Sequence, residues 1–152
     1  MKLCILGGGL TGLSLAKSLV KKGLSIDIFL NKKKSDFNRS RTIGISNDNL
    51  MYFNKEILDI KKLFWNIKKI EIYSDNLRNE KILNFENNNK TIFAIIRNYQ
   101  LQSKLLKSLK KDKLCKFKQN FDYNLSNLKK YKLIINCENG NYFTCLLYTS
   151  PS

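Results

Sequence analysis

The order of apolar and glycine-rich segments predicts an α/β fold, with a parallel sheet seeded by a strand–helix–strand unit and part of a second, mixed β-sheet region after it. Three observations carry this. Lys2–Leu6, KLCIL, is a short apolar run of the kind that makes a buried strand. Leu10–Lys22 repeats apolar residues at helical spacing through Leu13, Ala16, Leu19 and Val20. Leu24–Leu30, LSIDIFL, is a second strand-like run. A strand, a helix and a strand within about 30 residues imply a parallel pair joined by a right-handed crossover.

Local chemistry supports the boundaries of that first helix. Lys17, Lys21 and Lys22 place positive charge toward its C-terminal end, where the helix dipole favours it. Gly23 is suited to capping that end. The polar, lysine-rich stretch Asn31–Arg41 reads as a loop, and RTIGIS follows at Arg41–Ser46. Asn47–Leu63 has helical character, with Ser46 or Asn47 as its N-cap. Leu63–Trp65, LFW, reads as an aromatic plug into a core. Ile67–Tyr73 is strand-like, and KILNF pairs back on it after a turn at Asp75–Asn79. Thr91–Ile96 reads as a strand and Tyr99–Lys111 as an amphipathic helix lined by Leu101, Leu105, Leu106 and Leu109. Tyr131–Cys137, YKLIINC, is the last buried strand. Trp65 and Tyr99 are expected in the core.

Composition narrows the function classes. The net charge is +16, yet the lysines are spread along the whole chain and are not interleaved with aromatic residues in a nucleic-acid-binding pattern. That argues against a nucleic-acid partner, and attraction to an anionic membrane surface is the better use of the charge. The first apolar run breaks into glycines where a secretory signal would continue to a cleavage site, which predicts a cytoplasmic protein. The four cysteines form no C-x-x-C pair, so neither a zinc site nor a thioredoxin-like motif is expected. With no histidine, the chain lacks the usual general base.

The chemistry-bearing motif is the turn between the first strand and the first helix. Gly7, Gly9 and Gly12 make a G-x-G-x-x-G pattern, with Leu10 and Thr11 between the last two. In such a turn the first glycine permits the sharp exit from the strand. The second lets a pyrophosphate approach the backbone, and the third lets the helix pack close to the sheet. Unpaired N–H groups at the helix N-terminus then face the phosphates. The strand–turn–helix–strand context is the one a Rossmann-like dinucleotide site requires. The acidic residue expected at the end of the second strand is replaced by Leu30. The next residue, Asn31, offers a side-chain amide to a ribose hydroxyl, while Asp27 in mid-strand faces away.

Several segments, in their order, resemble the N-terminal part of an FAD-dependent aromatic hydroxylase, of the ubiquinone-biosynthesis UbiH/UbiF type. GGGLTGLSLAKSLVKKGLSIDIF resembles the FAD-binding unit. SRTIGISNDNLMYF is similar to the segment in which an arginine leads into a helix beside the flavin. LFWNIKKIEIYSD resembles a Leu-Gly-Trp turn and its following strand, and AIIRNYQLQSKLLKSL the strand, arginine and helix that return to the FAD domain. The resemblance covers about Met1–Asn141. It implies a Rossmann-like FAD-binding βαβ unit with an incomplete mixed β-sheet substrate region. It implies FAD as cofactor, NAD(P)H as co-substrate, and hydroxylation of a small aromatic or prenylated aromatic substrate with dioxygen. It assigns Gly7, Gly9 and Gly12 to the pyrophosphate, and Arg41 and Arg97 to the neighbourhood of the flavin. No catalytic side chain is implied, because the chemistry belongs to the cofactor. A membrane-resident quinone precursor further implies peripheral contact with the inner membrane face.

The sequence departs from that pattern at Leu30 and at Asn136–Gly140, NCENG, where an Asp-Gly motif is usual and Glu138 stands nearest the acid. The last residues, Cys145–Ser152, CLLYTSPS, resemble the translation of a sequencing adaptor, which leaves residues 1–144 as the hydroxylase-like part and predicts that this piece alone is inactive. Two alternatives stay open: another FAD-dependent oxidoreductase of the same fold, and a non-catalytic nucleotide-binding module.

Overall fold

The computed structural model describes residues 2–30, 39–75, 80–86, 90–119 and 129–138. The chain divides into two compact units, Met1–Asp36 with Gln102–Ser152, and Phe37–Leu101.

The first unit is a four-stranded parallel sheet. β1 (Lys2–Leu6) leads into helix α1 (Leu10–Lys21) and then β2 (Ser25–Leu30). β8 (Cys115–Gln119) and β9 (Leu133–Asn136) complete the order β8-β2-β1-β9. All three pairings are parallel, with Leu3 opposite Ile26 and Leu133, and Ile28 opposite Ile5 and Phe117. Such a sheet is buried on both faces, which explains why β1 reads as a continuous apolar run. Alternation puts Leu3, Ile5, Ile26 and Ile28 on one face and Cys4, Leu6 and Phe29 on the other. All four residues of the first face are buried, as are Leu13, Ala16 and Val20 of α1. The opposite face holds a cluster of Cys4, Leu6 and Tyr131, with Phe29 and Ile134 packed against it. α1 ends as its sequence predicts. Gly23 takes φ +78, and Gly23 and Leu24 donate N–H to the carbonyls of Val20 and Leu19.

The second unit contains two antiparallel sheets. β3 (Thr42–Ser46), β7 (Phe93–Arg97) and β4 (Phe64–Ile67) form one, in the order β3-β7-β4. β5 (Lys69–Tyr73) and β6 (Lys81–Glu86) form a hairpin. α2 (Asn47–Tyr52) runs into a π-helical turn at Phe53–Ile57. Helix α3 (Asn98–Lys110) begins in this unit and continues into the first.

Some readings of the sequence are corrected here, and strands it did not announce are added. Helical structure beginning at Asn47 stops at Ile57, short of Leu63, because Leu58 is extended and the Asn54 side chain accepts the Ile60 N–H at 2.7 Å. Ser46 is its N-cap, accepting from the Asn49 N–H at 3.4 Å. RTIGIS holds a strand, β3, and LFW leads into another, β4. β8 carries lysines at alternate positions and so hides its strand period among charges. Trp65 is half-exposed and Tyr99 only partly buried, so neither is a core residue. No helix among the described residues is long and apolar enough to cross a membrane.

Candidate dinucleotide-binding site

β1 ends at Leu6 and the chain turns at once. Gly7 takes φ +110, a conformation that L side chains rarely adopt, and its N–H donates to the Phe29 carbonyl at 3.0 Å. A Cβ there would also stand 2.9 Å from the Cys137 carbonyl oxygen and 3.0 Å from Glu138 Cγ. The tip of NCENG therefore lies beside the glycine turn, with Cys137 N–H bonded to the Leu6 carbonyl at 2.8 Å and Glu138 N–H bonded to Asn136 Oδ1 at 3.0 Å. Asn139 and Gly140 lie outside the described residues.

Gly12 serves a different need. A Cβ on it would overlap the Gly7 carbonyl oxygen, so the first turn of α1 sits against the glycine loop with no room for a side chain. Gly9 is the N-cap of α1, with an extended ψ of 177° and no side chain to cap the helix. No described residue lies within 4 Å of the position a Gly9 Cβ would take. Packing among the described residues does not require glycine there. The first helical bond runs from Leu13 N–H to the Gly9 carbonyl at 3.0 Å. Among the described residues, the N–H groups of Gly9, Leu10 and Thr11 meet no acceptor. The first turn of α1 itself carries no acidic residue against the positive end of the helix dipole; the acidic side chain near the loop is Glu138, beside Gly7. These features fit a diphosphate.

Leu30 ends β2 with its Cδ2 directed at Gly8, so an apolar side chain occupies the place next to the loop where an acid was expected. Asn31 lies outside the described residues. Asp27 is wholly buried and committed elsewhere. Its Oδ2 accepts from Tyr131 Oη at 2.7 Å and pairs with Lys118 Nζ at 2.7 Å and Lys2 Nζ at 2.9 Å. Burial opposes its charge, but these three donors outweigh it and hold the carboxyl below the usual range. The same burial and the Asp27 contact push Tyr131 up to about 12. Cys4 is pushed up to about 12 and Cys115 to about 11, chiefly by burial, so both thiols stay protonated.

The two arginines belong to the second unit. Arg41 immediately precedes β3 and Arg97 ends β7, at one end of the three-stranded sheet. Arg97 pairs with Thr42, and Asn98 N–H donates to the Arg41 carbonyl at 3.0 Å. The Arg97 guanidinium lies 5.4 Å from the centre of the Trp65 ring. Its hydrogen bond to the Tyr99 hydroxyl holds that phenol below its ordinary range, assisted by Gln100 and by the charge of Arg39. Asn98 Oδ1 is buried and has no hydrogen-bond partner among the described residues.

The structure thus gathers Gly7, Gly9, Leu10, Thr11 and Gly12 at one loop and helix end, and Arg41 with Arg97 at one sheet end. Sequence reasoning missed Gln102, whose Nε2 donates to the Gly8 carbonyl at 2.8 Å. Its signal was a polar residue in the helical row that continues through Leu105, Leu106 and Leu109.

No protein-family model and no curated relative matches the sequence. Solved structures do match in fold. p-Nitrophenol 4-monooxygenase PnpA from Pseudomonas putida DLL-E4 superposes with a TM-score of 0.64 at 16% identity, over 78% of this chain and 31% of that one. Pseudomonas aeruginosa PqsL in complex with 2-aminobenzoylacetate gives 0.62 at 13% identity, over 84% and 36%. Klebsiella pneumoniae HpxO in complex with FAD and uric acid gives 0.58 at 19% identity, over 77% and 30%. The chain therefore has an α/β fold shared with part of FAD-dependent monooxygenases, and it spans about a third of their length.

Proposed function

We propose that this chain forms the N-terminal, FAD-binding part of a flavin-dependent monooxygenase that hydroxylates an aromatic ring, with a prenylated ubiquinone precursor as its substrate. The observation that carries the reading is the bare N-terminus of α1 beside Gly9, where N–H groups without acceptors meet an empty Cβ position. The shared fold supports the choice of FAD among dinucleotides. The N–H groups of Gly9, Leu10 and Thr11 would hold the pyrophosphate, with Gly7 and Gly12 shaping the loop. Asn31 would bond the adenosine ribose through its amide, and Arg41 and Arg97 would supply positive charge to the flavin portion. Bound FAD would take electrons from NAD(P)H and react with dioxygen. The polypeptide's part is to bind, orient the ring and exclude water, so the absence of histidine is no obstacle. In this reading residues 145–152 are adaptor translation, residues 1–144 alone do not turn over, and the basic surface docks the enzyme peripherally on anionic lipid of the inner membrane face.

Titration of the purified chain with FAD, followed by quenching of flavin fluorescence, is the test. Saturable binding supports the reading; a folded chain that leaves flavin fluorescence unchanged refutes it. Sequencing the same DNA past the Thr144 codon tests the boundary, since a reading frame that continues differently there marks residues 145–152 as foreign. Leu30 beside Gly8 favours a second reading, a nucleotide-binding module without catalysis. That reading expects ADP binding, and no NAD(P)H oxidation from the protein encoded by the whole frame.

A further inference from the structure

We propose that Gln102 is a positioning residue for the glycine loop, fixing the Gly8–Gly9 peptide so that the Gly9 N–H faces a bound diphosphate. The inference rests on the dinucleotide reading above and deepens it. Gln102 lies on α3, and its Nε2 donates to the Gly8 carbonyl at 2.8 Å across 94 residues of sequence. A carbonyl only accepts, so the side-chain amide must present its NH2 group there. The Gly8 carbonyl is free for this role because the first helical bond of α1 uses the Gly9 carbonyl.

The consequence follows from peptide geometry. The described chain has no cis peptide, and in a planar trans peptide the C=O and the next N–H point in opposite directions. Holding the Gly8 carbonyl toward α3 therefore directs the Gly9 N–H away from α3. No described residue lies within 4 Å of the Gly9 Cβ position. Two glycines in succession would otherwise let this peptide rotate freely, since Gly has the widest backbone freedom of any residue. Gln102 can restrain it because its own helix is anchored. Leu101, Leu105 and Leu109 are buried on either side along α3.

The test uses the full chain with two variants, Gln102→Leu and Gln102→Glu. In the nucleotide-free chain, the Gly9 amide nitrogen resonance, which senses the hydrogen bond accepted by the preceding Gly8 carbonyl, should shift in Gln102→Leu. Affinity for ADP and for FAD should fall about tenfold with it. Gln102→Glu should bind more weakly still at pH 7, where its carboxylate has no proton to give Gly8 and repels the diphosphate. Its affinity for FAD should recover as pH falls toward about 4 and the carboxyl gains a proton, while the unaltered chain changes little. Loss of a merely structural contact would lower the melting temperature without that pH profile. An unmoved Gly9 amide resonance together with unchanged ADP affinity in folded Gln102→Leu overturns the inference. Failure of the unaltered chain to bind ADP or FAD overturns the dinucleotide reading instead, and the Gly9 amide resonance still decides whether Gln102 positions the loop.

Discussion

The four-stranded parallel sheet and the β5–β6 hairpin are both made of strands with large apolar side chains, yet they treat those side chains differently. In β1, Leu3, Cys4, Ile5 and Leu6 are all buried. In the hairpin, Ile70 lies opposite Phe85 and Ile72 opposite Leu83 on one face, and Ile72, Leu83 and Phe85 are 43%, 48% and 49% exposed. The other hairpin face is ionic. Glu71 pairs with Lys69 at 3.0 Å and with Lys81, which together hold its carboxyl down to about 2. The difference is cover. The sheet buries side chains on both of its faces, whereas no described residue covers the apolar face of the hairpin. Alternation marks a strand and sorts its faces, but burial energy arises only where a second layer removes water.

Substitutions should therefore separate the two regions by the size of their effect. The largest loss is expected in the covered unit. Leu105→Ala, at a fully buried position of α3, should cost about 3 kcal/mol in denaturant unfolding, within the range for cavities left by leucine. Asp27→Ala should cost about the same, because it strands Lys2, Lys118 and Tyr131 around a buried position. The partial exposure of the lysines keeps the loss near the lower end for a broken buried pair, about 3 kcal/mol. Gly12→Ala should cost about 2 kcal/mol through overlap with the Gly7 carbonyl, and should also weaken FAD binding. The smallest effect belongs to the hairpin. Ile72→Thr should change stability by no more than about 0.5 kcal/mol, and a loss of 2 kcal/mol would show that this face is covered after all.

The Asp27 cluster also predicts a pH window. Its carboxyl is depressed in the folded state, so its contribution is present above the unfolded value of about 3.9 and is lost as pH falls through the lower folded value. Tyr131 is raised to about 12 when folded, so its contribution is complete below the unfolded phenol value and is lost as pH rises toward that number. Denaturant midpoints should be level from about pH 5 to 8 and fall on both sides; the buried Cys4 and Cys115 thiols share the alkaline limb, so Asp27→Asn should flatten chiefly the acid limb. Midpoints of the variant that still fall as steeply at acid pH would separate this dependence from Asp27.

Much of the fold was legible in short stretches. The β1–α1–β2 unit declares itself through an apolar run, a helical period and Gly23, each within a few residues. The glycine motif was legible for the same reason, since Gly7 and Gly12 meet within one turn. β8 was not legible, because its lysines mask the apolar alternation that its place beside β2 supports. Trp65 was misjudged because an aromatic side chain reads as core, while here the Arg97 guanidinium stacks on one face and water reaches the rest.

Local periodicity and glycine spacing by themselves determined a parallel α/β unit that opens on a candidate diphosphate turn, because helix period, capping and φ freedom act over a few neighbouring residues. Only the tertiary structure decided that Asp27 spends its charge on Tyr131, 104 residues away, and that Gln102 reaches back to Gly8. Those partners are chosen by the order β8-β2-β1-β9 and by the packing of α3, which bring distant side chains within hydrogen-bond reach without any trace in local spacing.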